Sequence, residues 1–334
     1  MQPADGFSFV FGPDLGQVSE LICRTWARPC WHYDVGLLQL HIMRPSGDPE
    51  LTVGQVSADG RLASFQAYMP FDVEYYGRRY RAVFASFLTV SSDFHGKGLA
   101  GPQQGKLIEK AIDKDYDLYI TMCEVGAASN RAVEKIFTSK GLDVKVVNVL
   151  QYSAALRELV DPILPTQPSG HTRPYRAEDR SLILPLVRNL GGSVPLKKII
   201  PDDDIDFLMM TRPHTRSYVW EEDGRVRALA NLLLLEVIEP DESRRLHAYF
   251  DNVSFGDLSS EAQTVFIADI MMALRETNYT TAFMPNIGYV AADPFRKNRF
   301  RTAPRQINLY IAPLRPKVLP DGIKPVDGFY LDVY

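Results

Sequence analysis

The chain has 334 residues, of which 46% are hydrophobic and 23% are charged, and its formal net charge is −4. This length exceeds the usual size of a single hydrophobic core and therefore predicts two domains. The slightly negative charge excludes a general affinity for nucleic acid or for anionic membranes. The cysteines Cys23, Cys30 and Cys123 lack the spacing of a metal site or of a disulfide framework, which is typical of a reducing compartment.

The N-terminus and the apolar runs predict a cytoplasmic protein. Residues 1–6 show neither the basic region nor the apolar region of a signal peptide. The longest apolar run, 229–238, contains Asn231 and Glu236 and is too short to span a bilayer. We therefore expect no membrane partner, no nucleic-acid partner and no metal, and the sequence leaves the oligomeric state open.

Hydrophobic periodicity predicts alternating strands and helices in the first half of the chain. In chain order we expect a strand at 7–11, a helix at 15–27, a hairpin at 51–68, strands at 73–76 and 80–90, a helix at 103–114, a strand at 117–123, a helix at 129–139 and a strand at 143–152. The proline-rich segment 161–169 follows and is the best linker candidate.

The second half weakly repeats this order. We expect a helix at 180–190, a hairpin at 217–238, a strand at 246–255, a helix at 259–276 and strands at 280–284 and 306–311. The segment 254–259, between the matching strand and helix, has no Gly-x-Gly or Gly-x-Ala pattern and no nearby cation. We therefore interpret the second half as a degenerate copy that does not bind a cofactor.

A glycine-rich loop at 91–102 joins the strand at 80–90 to the helix that follows. Its sequence is Ser-Ser-Asp-Phe-His-Gly-Lys-Gly-Leu-Ala-Gly-Pro, and Pro102 suits a first helical position. Glycines let backbone N–H groups approach a ligand closely, and a helix N-terminus adds partial positive charge. Lys97 adds a full charge, so the loop is predicted to hold phosphate.

Two general phosphate motifs fit this loop poorly. Residues 96–101 match G-x-G-x-x-G, but the dinucleotide loop follows its strand almost directly, whereas residues 91–95 intervene here. Residues 100–107 approach the P-loop, yet the first glycine is missing and Leu107 stands where a magnesium-binding Ser or Thr is needed.

A family motif fits better. Residues 89–100 resemble the pyrophosphate loop of the GCN5-related N-acyltransferases, in which Arg or Gln, two residues, Gly, one residue and Gly or Ala follow a strand and a short turn. His95 stands in the Arg or Gln position, and Gly98 and Ala100 take the other two.

A second motif of the same family follows at the right distance. Residues 130–142 are similar to the family's Asn-x-x-Ala-x-x-x-Tyr-x-x-x-Gly-Phe helix, with Val133, Phe137 and Leu142 in place of Ala, Tyr and Phe. The resemblance rests on two motifs in order with a strand between them, and it covers roughly residues 51–149.

The resemblance implies an α/β (α+β) fold made of two tandem domains, each a mixed, mostly antiparallel twisted sheet flanked by helices. This tandem type is similar to N-myristoyltransferases and mycothiol synthases. We expect an acyl-CoA-binding domain at 1–160, a linker at 161–170, a degenerate domain shaping the acceptor pocket at 171–325, and a C-terminal strand at 326–334 that completes the first domain.

The implied function is an acyl-CoA-dependent N-acyltransferase, which moves an acyl group from the thioester to an amine by direct attack in a ternary complex. Acetyl-CoA or a longer acyl-CoA is the implied co-substrate, and a small-molecule or peptide amine is the acceptor. Two alternatives stay open. One is a non-catalytic CoA-binding regulator or scaffold, because Phe137 replaces the family's acid; the other is a dinucleotide-dependent oxidoreductase that uses residues 96–101.

The resemblance also implies the site residues. The cofactor-binding set is Leu88, Thr89, Val90, His95, Gly96, Lys97, Gly98, Leu99, Ala100, Gly101, Asn130 and Phe137. A free backbone N–H near 89–91 is expected to face the thioester oxygen, and Asn130 is expected to orient the cofactor or the leaving group. Glu124 is the first candidate for the general base. His32, His41 and Tyr33 come next, and the C-terminal carboxylate of Tyr334 is a further option. The aromatic-rich segment 28–44 lies beside the acceptor pocket in the family, although packing in the core is an equal alternative.

Overall fold

The structure is a computed structural model that describes residues 2–211 and 213–332. Its strands are β1 (Phe7–Phe11), β2 (Cys30–Trp31), β3 (Thr52–Ser57), β4 (Leu62–Tyr75), β5 (Arg78–Val90), β6 (Leu118–Glu124), β7 (Lys145–Leu156), β8 (Thr172–Pro174), β9 (Leu196–Ile199), β10 (Thr215–Glu222), β11 (Arg225–Ile238), β12 (Arg244–Ser254), β13 (Thr281–Asn286), β14 (Arg301–Pro313) and β15 (Phe329–Tyr330). Its helices are α1 (Leu15–Thr25), α2 (Val35–Ile42), α3 (Ala100–Asp113), α4 (Ala128–Ser139), α5 (Arg157–Val160), α6 (Arg180–Arg188), α7 (Asp202–Met210), α8 (Ser260–Leu274) and α9 (Asp293–Lys297).

The chain divides into two compact units, but not where the proline-rich segment predicts. The first unit consists of Met1–Val149 and Gln306–Val326, and the second of Leu150–Arg305 and Asp327–Tyr334. The expected linker at 161–170 lies inside the second unit. Its end is fixed by the buried carboxylate of Asp269 in α8, which accepts hydrogen bonds from the backbone and hydroxyl of Ser169 and from the hydroxyl of Thr172.

The first unit contains a mixed sheet with the strand order β1–β3–β4–β5–β6–β14–β7. Neighbours are antiparallel from β1 to β5, and β5 and β6 are parallel. The β4–β5 hairpin turns at Tyr76 and Gly77, both with positive φ, between the paired residues Tyr75 and Arg78. Two positive φ values give the type I′ turn that matches the twist of paired strands.

A strand from the C-terminal half completes this sheet. β14 pairs antiparallel with β6 from Ile307–Glu124 to Pro313–Leu118, and it lies between β6 and β7 in the strand order. The sequence places a strand at 306–311 but assigns it to the second domain. Its return to the first unit supplies the strand that the segment after α4 lacks.

The second unit contains a similar mixed sheet with the order β7–β13–β12–β11–β10–β8. Here β12 and β13 form the parallel pair, with His247 opposite Thr281 and Tyr249 opposite Phe283. The mostly antiparallel sheets, flanked by helices, confirm the predicted fold class. No helix in the part of the chain that the structure describes is long and apolar enough to cross a bilayer.

The prediction that the tail at 326–334 completes the first domain is wrong for residues 327–332, although Val326 donates its N–H to the carbonyl of Val147 in the first unit. Phe329 and Tyr330 pair in parallel with β9 of the second unit. The backbone N–H of Phe329 also donates to the carbonyl of Ile287, just beyond β13, and the Tyr330 hydroxyl donates to Asn252 in β12. The tail therefore lies where β12 and β13 separate, because that gap offers unpaired backbone to a short strand.

We predict that Phe329→Ala will loosen the second unit. Phe329 is fully buried, and removing a buried aromatic ring leaves a cavity that costs about 3–5 kcal/mol. Hydrogen exchange measured by mass spectrometry should become faster in β9 and β12 and stay unchanged in β1 and β3. Phe11→Ala, at a partly exposed ring, is the matched control. Faster exchange in the first unit alone would contradict the pairing with β9 and would favour a tail that pairs with the first domain.

Candidate functional site

The β5–β6 ladder ends halfway along β5. Parallel pairing runs from Ala82–Leu118 to Ala85–Thr121 and does not continue among the described residues. The Thr121 hydroxyl closes the ladder by donating to the Ala85 carbonyl at 2.8 Å. From Ser86 onward, β5 has no Cα partner in β6 among the described residues.

The opposite edge of β5 is interrupted at the same level. The register with β4 shifts between Ser86 and Thr89, so Phe87 and Leu88 have no partner in that ladder. Phe87 has a φ of 60°, a left-handed conformation that bulky residues rarely adopt and that marks a β-bulge. The break in the β5 register therefore falls at Phe87 and Leu88, whereas Ser91, within the expected 89–91, donates its N–H to Ala63.

The glycine loop after β5 is open. A Cβ built on Gly96, Gly98 or Gly101 would meet no atom within 4 Å. Gly96 and Gly98 have φ values of 77° and 74°, which only glycine adopts without strain. The N–H groups of Gly96, Gly98 and Leu99 make no backbone hydrogen bond to any residue within 2–211 or 213–332. This is the donor set that an anion requires.

Helix α3 starts without a cap. It begins at Ala100, two residues earlier than Pro102 would indicate, so the proline occupies the first turn, where its missing N–H is tolerated. Leu99 precedes it and supplies no side-chain hydrogen bond. The N-terminal partial charge of α3 is therefore left for a ligand.

A buried polar cluster fixes this helix start to the sheet. The Gln55 amide donates to the Leu99 carbonyl at 2.8 Å. The Gln103 side chain accepts from the Ser64 hydroxyl and donates to the Val53 carbonyl at 3.1 Å. These contacts make the loop's position rigid, which preorganises the donors around it.

The corresponding loop of the second unit is closed. A Cβ on Gly256 would lie 2.0 Å from the carbonyl oxygen of Arg227, so the space beside this glycine is already filled by the protein. Helix α8 is capped by Ser259, whose side chain accepts from the N–H of Ala262. The loop before α3 in the first unit is thus open and the helix uncapped, whereas the loop before α8 in the second unit is filled and the helix capped.

Gln66 is a residue that the sequence does not single out. It lies on β4 opposite the bulge, its side chain is almost fully buried, and its amide oxygen has no hydrogen-bond partner among the described residues. The amide oxygen of Gln104, on α3, is likewise buried without a partner. Buried amides are nearly always hydrogen-bonded, so both are candidates for ligand contact. The alternation Ser64, Gln66, Tyr68 on the core face of β4 is the signal that could have drawn attention to Gln66.

The predicted cofactor ligands separate into exposed and engaged residues. Lys97 is exposed on the open loop. The ring of His95 turns back and lies 3.0 Å from the Val90 carbonyl. Phe137 is fully buried, with its ring centroid 4.6 Å from that of Tyr119, so its contacts in this structure are with the core.

Asn130 is saturated by contacts within the protein. Its side-chain amide donates to the carbonyls of Glu124 and Ala127. Its oxygen accepts from Asn308 at 3.0 Å and from the Tyr310 hydroxyl at 2.9 Å. These four hydrogen bonds fix the turn between β6 and α4.

The candidate bases lie in different surroundings. Glu124 ends β6 and is exposed. His32 is half-buried and directly follows β2. Tyr334 lies outside the described residues. Cys123 faces the core, and burial raises the pKa of its thiol, so it remains protonated.

The aromatic-rich segment 28–44 packs against the bulge. The Phe87 ring forms an edge-to-face contact with Tyr33 at 5.0 Å, and His41 lies 6.1 Å from Phe87. Trp26 lies 5.6 Å from Tyr33 and donates its indole N–H to the Thr89 hydroxyl at 2.9 Å. The rings of Tyr33 and His41 therefore pack against the bulge, and they connect this segment to Phe87.

Among the described residues, no group of three or more His, Cys, Asp or Glu side chains has the geometry of a metal site.

Comparison with known proteins identifies the fold. No family model matches the sequence, and no curated protein matches it. The N-myristoyltransferase of Saccharomyces cerevisiae with bound myristoyl-CoA gives a TM-score of 0.76 at 12% identity, over 93% of this chain and 83% of the other. This is a GCN5-related N-acyltransferase fold.

Two further solved structures agree with the fold. A GCN5-related N-acetyltransferase from Anabaena variabilis gives a TM-score of 0.57 at 10% identity, over 93% of this chain and 74% of the other. A protein of unknown function from Enterococcus faecalis, described as a probable N-acyltransferase, gives 0.52 at 12% identity, over 92% and 71%. The similarity confirms the family resemblance drawn from the two motifs at the level of the fold.

We predict that Gln66→Met will stabilise the free protein. Methionine fills a similar volume, and removing an unsatisfied buried amide should raise the free energy of unfolding by about 1–2 kcal/mol. Gln103→Met is the matched control, because it breaks a satisfied cluster and should lower that free energy. Chemical denaturation of both variants measures whether each substitution raises or lowers the free energy of unfolding. A loss of stability in Gln66→Met would mean that its amide is already satisfied.

Proposed function

We propose that the protein is an acyl-CoA-dependent N-acyltransferase whose acyl donor binds the first unit. The observation that carries this proposal is the end of the β5–β6 ladder at Ala85 and the break in the β4–β5 register at Phe87 and Leu88, with an open glycine loop and an uncapped helix further along the chain. An elongated ligand with amides at one end and phosphates at the other matches such a sequence of donors.

Each part of CoA has a complementary surface in this proposal. The diphosphate lies on the N–H groups of Gly96, Gly98 and Leu99 and on the α3 N-terminus, with Lys97 adding a charge. The pantetheine arm lies along the unpaired edge of β5 and forms strand-like hydrogen bonds. The N–H of Phe87 or Leu88 then donates to the thioester oxygen and stabilises the charge that develops there.

The reaction requires a neutral amine and a leaving thiolate. The amine lone pair attacks the thioester carbon, a C–N bond forms, and the carbonyl electrons move to oxygen. The C–S bond breaks when the carbonyl re-forms, and CoA leaves as a thiolate. A base removes the extra proton from nitrogen; Glu124, His32 and the Tyr334 carboxylate remain the candidates.

The thiolate leaves without the family's tyrosine. Free thiols have a pKa of about 8.5, so the thiolate is an acceptable leaving group by itself. Tyr310 brings a hydroxyl onto the same face of α4, and burial, with Glu134 nearby, raises its pKa to about 12. The Tyr310 hydroxyl therefore stays protonated at neutral pH, and it is the alternative to unaided departure as a proton donor to the thiolate.

The acceptor is proposed as an amine of a small molecule or a peptide, and the acyl group as acetyl or longer. The neighbours include both an N-acetyltransferase and an N-myristoyltransferase, which is why the acyl length is kept open. The second unit is proposed to lack its own acyl-CoA site, because Gly256 and the capped α8 leave no donors for a diphosphate. Its share in acceptor recognition and a cytoplasmic location remain predictions.

A non-catalytic CoA-binding protein is the second candidate. The saturated amide of Asn130 and the buried Phe137 favour it, because both positions carry chemistry in the family's motif. The oxidoreductase alternative loses its support, since the dinucleotide loop belongs to a doubly wound parallel sheet and this sheet is mostly antiparallel.

Two measurements separate these candidates. Calorimetric titration with CoA, acetyl-CoA, myristoyl-CoA and NAD should give one CoA site per chain and no response to NAD. Release of free thiol from the acyl-CoA that binds most tightly, in the presence of a panel of amines and N-terminal peptides, identifies an enzyme. Binding without thiol release above the rate in buffer would favour the non-catalytic candidate.

We predict that Gly98→Glu will abolish CoA binding. The substitution places a carboxylate in the open space over the loop and strains a positive φ, and both effects oppose the diphosphate. Gly60→Glu is the matched control, because Gly60 also has a positive φ and open space around its Cβ but lies in the β3–β4 hairpin. CoA affinity within a few-fold of the original in Gly98→Glu would refute the loop assignment.

A further inference from the structure

We propose that Trp26 and Thr89 are positioning residues that aim the peptide groups of the bulge at the acyl carbonyl. This inference rests on the proposed function and adds a device that neither of the family motifs contains. Trp26 closes α1 and Thr89 follows the bulge on β5.

The hydrogen bonds between these residues have a fixed direction. The Trp26 indole N–H donates to the Thr89 hydroxyl at 2.9 Å, and that hydroxyl lies 3.0 Å from the Phe87 carbonyl. Indole nitrogen can only donate, so the single hydroxyl proton of Thr89 is left for Phe87. The carbonyl of the bulge residue is thereby tied to one side of the strand.

The orientation of that carbonyl sets the orientation of the next N–H. The carbonyl of Phe87 and the N–H of Leu88 belong to one planar peptide group and point in opposite directions. Fixing the carbonyl toward Thr89 therefore directs the Leu88 N–H away from it. The β4 register skips Phe87 and Leu88, and the β6 ladder ends at Ala85, so the relay from Trp26 adds a constraint where the regular ladders are interrupted.

Ring packing also connects Trp26 to Phe87. Trp26 contacts Tyr33 at 5.6 Å, and Tyr33 contacts the Phe87 ring at 5.0 Å, each edge to face. Tyr33 and Phe87 are both nearly fully buried. The bulge is therefore fixed through its side chain by the rings and through its backbone by the hydroxyl, and the left-handed φ of Phe87 has a cause in the structure.

The test separates the hydroxyl from the packing. Thr89→Val keeps the shape and removes the hydroxyl, Thr89→Ser keeps the hydroxyl, and Trp26→Phe keeps a ring and removes the indole donor. The probes are acetyl-CoA and myristoyl-CoA with ¹³C in the thioester carbonyl, and isotope-edited infrared spectra of the bound probe report how strongly the protein polarises that carbonyl. No acceptor is needed.

We expect the bound carbonyl of the unsubstituted protein to absorb at lower frequency than the free thioester. Thr89→Val and Trp26→Phe should each lose most of that shift, and Thr89→Ser should retain it. With an amine that the thiol-release panel identifies, kcat of Thr89→Val should fall roughly tenfold while KM for acyl-CoA stays within about twofold. CoA affinity, measured by titration, should be unchanged in all three variants.

Three outcomes overturn the inference. A full infrared shift in Thr89→Val would show that the hydroxyl does not aim the peptide group. Equal losses in Thr89→Ser and Thr89→Val would show that only packing matters. Tight CoA binding without any shift in the unsubstituted protein would leave the cofactor site intact and remove the polarising role of the bulge. If neither CoA nor the probes bind, the proposed function itself fails, and the inference fails with it.

Discussion

The separation of β5 from β6 is the constraint on which the rest of the first unit depends. A sheet normally satisfies every backbone donor by pairing, and leaving donors unpaired at a strand end has a cost. Here the parallel ladder stops at Ala85 and Thr121, and the antiparallel ladder skips Phe87 and Leu88 at the same level. Both interruptions lie at one level of the strand, and the open glycine loop at Gly96 and Gly98 follows further along the chain. In the proposed function, acyl-CoA binds along this part of the first unit.

The two units show how a similar strand, helix and strand order reaches opposite results. The first unit leaves the start of α3 uncapped and surrounds it with glycines whose missing Cβ atoms would point into open space. The second unit caps α8 with Ser259, packs Gly256 against the Arg227 backbone and lays its own tail beside the gap after β13. Every group that would hold a ligand in one case is satisfied by the protein itself in the other. These differences in capping and packing are the reason for placing the proposed acyl-CoA site in the first unit.

Local patterns in the sequence were sufficient for the parts of the site that are local. The strand, loop and helix around Gly96 and Gly98, and the helix that begins near Asn130, follow from glycine placement and periodicity. The sequence predicts a free backbone N–H near 89–91 but no bulge, because a register shift depends on the partner strand and leaves no mark in the strand itself. Gln66 escaped notice for a similar reason. Gln66 is a polar residue at a core-facing position of β4. Its significance becomes clear only when the register of the opposite strand, β5, is known to shift beside it.

Local sequence patterns do not reveal that β14, from the C-terminal half of the chain, completes the sheet of the first unit. Asn308 and Tyr310 of β14 hold the Asn130 side chain across sequence separations of 178 and 180 residues. Between β6 and β7 the sheet has no other strand among the described residues. Residues 1–149 therefore cannot complete their own sheet or fix the turn after β6 until β14 exists. Contacts of such long range form late and slowly in folding. The sheet that carries the proposed acyl-CoA site is thus completed by a strand from the C-terminal half, although its glycine loop is encoded in one short stretch.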